Sequence, residues 1–93
     1  MARHANRIDR QTAEIIALRA LAFIAEEPAR LDRFVALTGL SAAEVRARAN
    51  EAAFLGGVLD FLLGDEALVL AFAEREGLEP EAPLRARSLL PGA

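Results

Sequence analysis

Residues that start and stop helices punctuate this chain so regularly that only short helices fit between them. Asp9 stands as an N-cap before the first apolar stretch. Pro28 closes that stretch by disfavouring helical dihedrals in Glu27, which predicts a first helix over about Arg10 to Glu26. Pro28 then occupies the first turn of a second helix, where its missing N–H costs nothing. This helix carries Leu31, Phe34, Val35 and Leu37 and stops at Thr38-Gly39-Leu40, with Gly39 left-handed and Leu40 folding back on the last turn. Ser41-Ala42-Ala43-Glu44 is a capping box that opens a third helix, through about Ala49. A fourth, about Glu51 to Leu63, sets Phe54, Leu55, Val58, Leu59 and Leu62 on one face. Gly64 breaks the chain, Asp65 caps a fifth helix ending near Glu76, and Gly77-Leu78 repeats the glycine stop. A sixth, about Glu81 to Leu89, holds Pro83 in its first turn and ends at Pro91-Gly92.

Composition agrees with this punctuation. The chain has 21 Ala and 15 Leu against 4 Ile and 4 Val, which favours helix over strand. The expected fold is all-α, a compact bundle of five or six short helices. One domain over 10–90 is expected between flexible segments 1–9 and 91–93, because 93 residues hold one core. The first, fourth and fifth helices are expected to form that core and to bury Ile16, Phe23, Phe54, Val58, Leu62, Leu68 and Phe72. Gly56-Gly57 stands where better helix formers are expected and weakens the fourth helix.

The residue inventory excludes much chemistry. There is no Cys, Lys, Tyr or Trp, and His4 is the one histidine. Nucleophilic triads therefore lack a base beside Ser41, Ser88, Thr12 or Thr38. Asp60 with Asp65 and Glu66 could be imagined as a carboxylate pair, but Asp65 and Glu66 suit a helix start and Asp60 suits solvent or an arginine. Zinc, calcium and phosphate-loop patterns do not occur, so no metal, no cofactor and no enzymatic activity are expected. The net charge of −3 and pI near 5.1 give no overall attraction for phosphates, and nucleic acid is not the expected partner. Charge is nonetheless segregated, since residues 50–81 carry eight acidic residues and one arginine. Absence of cysteine points to the cytoplasm. Arg3, Arg7 and Arg10 before an apolar run imitate a signal peptide, but Glu14, Arg19 and the Glu26-Glu27-Pro28 exit do not fit one. No membrane span is expected, because Ala67 to Ala73 is far too short.

What remains is interaction. Three runs are almost wholly apolar: Ile15 to Ala25 except Arg19, Phe54 to Leu63 except Asp60, and Ala67 to Ala73. A domain this small leaves part of such faces uncovered. The expectation is a non-catalytic protein-interaction or structural module with an unidentified protein partner and a weak homodimer. Arg19 and Asp60 are its candidate rim charges, pairing within or between chains. The alternative is a helix-turn-helix, since Val35, Gly39, Leu40, Ser41 and Val45 have its spacing and Ser41, Arg46 and Arg48 would be the DNA contacts. The acidic total, the short second helix of that pair and Ala42 and Ala43 at base-reading positions weigh against it. Phe34 to Arg48 and Phe72 to Arg87 also look alike, either as a duplicated helix-Gly-Leu-helix unit or by convergence on the same stop signal.

Ala17 to Ala29, Arg33-Phe-Val-Ala-Leu-Thr-Gly-Leu40, Phe54-Leu with Val58-Leu-Asp-Phe-Leu-Leu63, and Asp65-Glu66-Ala-Leu68 together resemble a short, Ala-rich, all-helical family of unknown function typical of alphaproteobacteria. The likeness spans roughly residues 15 to 82. It implies a small cytoplasmic bacterial helical protein, and it carries over no catalytic residues.

Overall fold

The computed structural model describes residues 8–92, which form six helices. They are α1 (Arg10–Ala25), α2 (Pro28–Thr38), α3 (Ala42–Arg48), α4 (Ala52–Leu63), α5 (Glu66–Glu76) and α6 (Ala82–Ser88), with no strand among the described residues. His4 and most of the segment expected to be flexible at the N-terminus lie outside those residues.

Local chemistry sets each boundary. The Asp9 carboxylate accepts from the Thr12 N–H at 2.8 Å and opens α1. Glu27 is extended (φ −111°, ψ 120°), as Pro28 requires, and α2 starts on the proline. Gly39, at φ 74°, ends α2 with one bond from its N–H to the Val35 carbonyl. The capping box is complete: Ser41 Oγ accepts from the Glu44 N–H at 3.1 Å, and the Glu44 carboxylate accepts from the Ser41 N–H at 2.8 Å. Asp65 caps α5. Gly77, at φ 68°, ends it in a different closure, with Leu78 N–H reaching back to the Ala73 carbonyl at 2.9 Å. The two glycine stops that look alike in sequence are thus built differently.

The centre of the molecule corrects the expected core. α1 and α4 do form it, but the third helix packed against both is α6, not α5. The reason is side-chain size. α6 buries Ala82, Pro83 and Ala86, whose small side chains let its backbone come close, and Leu90 follows them into the core. α5 contributes Phe72 and Ala73, leaves Leu70 exposed and holds Leu68 and Val69 only half-buried. Ile16, Phe23, Val58, Leu62 and Phe72 are buried as expected, whereas Phe54 and Leu68 are half-buried. Phe34 of α2 is instead fully enclosed, with Phe61 and Phe54 edge-on at 5.3 and 6.0 Å.

Gly56 and Gly57 leave α4 unbroken. A Cβ at Gly56 would stand 2.7 Å from the Pro91 carbonyl oxygen and 2.9 Å from Arg87 Nη1, so this glycine admits the end of the chain. Nothing lies near Gly57. Arg87 completes the junction. It grips Asp60 through Nε (2.7 Å) and Nη2 (3.2 Å), and it donates to the carbonyls of Leu90, Pro91 and Gly92. Pro91 and Gly92, expected to be flexible, are therefore tied to α4 through α6.

Candidate functional site

α1 is apolar on two opposed faces. One buries Ala13, Ile16, Ala17, Ala20, Phe23 and Ile24. The other sets Ile15, Leu18, Ala22 and Ala25 on a helical stripe (i, i+3, i+7, i+10) that the remaining helices leave open, with Ile15 50% and Leu18 42% exposed. Exposed apolar residues are ordinary one at a time; a stripe flanked by concave surface on both sides is a docking geometry.

On one flank, α1 and α5 enclose a hollow of about 250 Å³ over Ile15, Ala22 and Phe23. Its rim is ionic. Arg19 pairs with Glu76 through Nε, and Arg75 donates from Nη1 and Nη2 to the two carboxylate oxygens of Glu26. The hydrogen bonds from Arg75 hold the Glu26 carboxyl below its ordinary pKa, and the same bonds raise that of Arg75. The Phe23 ring beneath carries two cations, Arg30 at 4.0 Å and Arg75 at 6.0 Å from its centroid. Arg30 Nη1 is buried without a hydrogen-bond partner, while its Nη2 lies 3.9 Å from the Glu27 carboxylate.

On the other flank, α1, α2 and α3 enclose about 350 Å³. Leu21, Leu31, Val45 and Ala49 line it, and Arg46 is its one charged wall residue. Leu18 and Ala22 border both hollows and so form the ridge between them. α3 buries only Val45 and α2 only Phe34, so few core side chains hold this wall.

The residues expected to mediate interactions are distributed as follows. Arg19 lies on the rim of the first hollow and pairs within the chain. Asp60 lies on α4, engaged by Arg87, whose pKa that hydrogen bond raises. Each therefore has an intramolecular partner. Ser41 has its hydroxyl engaged in the α3 cap, while Arg46 and Arg48 are exposed in the last turn of α3, where they complement the helix dipole. Sequence reasoning did not find the Glu26–Arg75 pair. The run Ile15 to Ala25 showed a first helix apolar almost all round, suited to the centre of the bundle or to an interface, but not that the face of 15, 18, 22 and 25 is the one left open. Among the described residues no group of three or more His, Cys, Asp or Glu is placed to hold a metal. No helix there is long and apolar enough to cross a membrane.

Fold and surface together define a small all-α bundle with an open apolar ridge. Over residues 10–93 the chain matches the model of a family described as "Protein of unknown function (DUF3572)", and it belongs to that family. No curated protein and no solved structure matches it.

Proposed function

We propose that this protein is a non-catalytic interaction module of the bacterial cytoplasm, of the alphaproteobacterial type that its sequence resembles, and that it docks a protein through the outward face of α1. One observation carries the reading: α1 fills the core with one face and still presents Ile15 and Leu18 to solvent on the other, between two hollows. A helix apolar all round belongs in an interior or an interface. The inventory of side chains supports the absence of catalysis, because the carboxylates of Asp9, Glu44 and Asp65 cap helices and those of Glu26, Asp60 and Glu76 pair with arginines.

The test is capture of binding proteins on the immobilised chain, run beside Leu18→Glu. Proteins retained by the native chain and lost from the variant support docking on α1; an identical set on both overturns it. The nucleic-acid reading is checked by gel shift at about 50 and 200 mM salt, where phosphate contacts impose a steep salt dependence. We expect no shift. A complex that collapses with salt and weakens on Arg46→Ala would restore the helix-turn-helix.

A further inference from the structure

α1 and α3 face the same hollow with the same residue spacing. On α1 the lining residues are Leu18, Leu21, Ala22 and Ala25. On α3 and its C-cap they are Ala42, Val45, Arg46 and Ala49. Both sets fall at i, i+3, i+4 and i+7, and each spans about 10 Å of helix, so the two walls match in length. This is the stripe with which a helix packs on other helices, yet α1 packs closely on α2, α4 and α6 and not on α3. Between those two stripes lies the hollow of about 350 Å³. We propose that this groove seats an amphipathic helix of a partner protein that carries an acidic residue beside its apolar stripe. The proposal deepens the reading of α1 as a docking face and rests on it.

Side-chain size and charge select that occupant. Four of the nine lining residues are alanine and none is aromatic. Sites for small molecules are instead lined by large apolar and aromatic side chains around several placed polar groups. Alanine walls let a helix backbone come near, because the distance between packed helices is set by the side chains at the contact. The bundle already uses this device at α6, through Ala82 and Ala86. Anchors at i, i+4 and i+7 of the incoming helix then meet Leu18, Leu21 and Leu31. Arg46 is the one charged residue of the lining; it is exposed and joins no ion pair among the described residues. Glu44 does not line the hollow, and its carboxylate accepts from the Ser41 N–H in the cap. Glu44 and Arg48, four residues apart, share the other side of α3. The groove therefore meets its occupant with one free cation beside an apolar stripe, which is complementary to a carboxylate in the same place on the partner.

Selection from a displayed library of peptides of about 18 residues, long enough to hold a helix, tests it. Stripe positions vary among Leu, Ile, Phe, Met and Ala, and flanking positions among Glu, Gln and Lys. We expect the native chain to enrich sequences with glutamate beside the stripe. The best binder, synthesised and followed by fluorescence anisotropy, should lose about 10-fold or more on Leu18→Glu and about 3- to 10-fold on Arg46→Glu. Selection on the Arg46→Glu chain should turn to lysine. Ala25→Leu adds apolar surface but thickens the wall, so it should weaken the binder; tighter binding there marks a merely adhesive patch and overturns the groove. Leu84→Glu, on α6 and 62% exposed, leaves binding unchanged. Circular dichroism melts confirm that each variant is folded. No enrichment over the Leu18→Glu chain, or enrichment indifferent to the charge at position 46, overturns the acidic helix. So does saturable binding of laurate in the hollow without peptide enrichment, which assigns it to a small amphiphile, or a Leu18-dependent dimer in sedimentation that the peptide does not displace. Where Leu18-dependent capture of cell proteins persists although the acidic helix fails, the partner's chemistry alone falls. Loss of both overturns the docking reading itself.

Discussion

At Gly56 the absence of one carbon atom decides how the chain ends. With the Pro91 oxygen 2.7 Å from where a Cβ would be, and that oxygen part of the backbone, alanine there must push the C-terminal turn off α4. We expect Gly56→Ala to cost about 1 to 3 kcal/mol by overpacking. Gly57→Ala, which meets nothing, should be neutral or stabilising by up to about 1 kcal/mol through helix propensity. Urea denaturation of the pair settles the contrast, and equal effects would show that the junction yields. A second contrast concerns aromatic burial. Phe34 is fully enclosed and Phe54 half-buried, so Phe34→Ala should cost about 3 to 5 kcal/mol and Phe54→Ala distinctly less. Sequence alone ranked them the other way. Phe34 sits in a helix with exposed Leu37 and many charges, whereas Phe54 opens a strongly apolar one; only the placement of α2 over Phe61 reverses the order.

Helix boundaries were the most legible feature, because caps and stops are local chemistry. Asp9, Pro28, Gly39, the Ser41–Glu44 box, Asp65 and Gly77 each act where the sequence placed them. The partners of α1 and α4 were not legible. Bulk apolar content pointed to α5, but contact distance is set by the small faces of α6, which no periodicity advertises. The caps also carry a pH dependence. Backbone N–H donors from Thr12 and Ser41 hold the carboxyls of Asp9 and Glu44 below their ordinary values, and Arg75 does so for Glu26. A carboxyl whose pKa is lowered by folding stabilises the fold above its unfolded value, about 4, and loses that contribution as pH falls through the folded value. We expect Tm to be flat from about pH 7 to 5 and to drop below about 4, with α3 affected first because its seven residues depend on the box. In the variant Glu44→Ala the neutral-pH Tm should be lower and the acid drop shallower; an unchanged acid limb would remove Glu44 from the account.

For the molecule as a whole, the candidate face was half legible. The apolar excess of the first helix and Arg19 at its edge could be read directly, but the hollows exist only where α2, α3 and α5 stop short of covering it. Arg19 and Asp60, read as equivalent rim charges, do different work: one borders the open ridge, the other anchors the junction of α4 with the last turns.

The central position of α6 has a consequence for biosynthesis. Residues emerge from the ribosome in order, yet α1 and α4 receive their third packing partner only when Ala82 to Leu90 have left the exit tunnel. A nascent chain that has not yet reached α6 therefore holds two apolar helices that lack one of their packing partners, the kind of transiently exposed surface that favours misassembly. A fragment ending at Glu81 should remain protease-sensitive and expose hydrophobic-dye-binding surface under conditions in which the 93-residue chain resists digestion. Equal resistance of the two would mean that the first five helices close a core on their own.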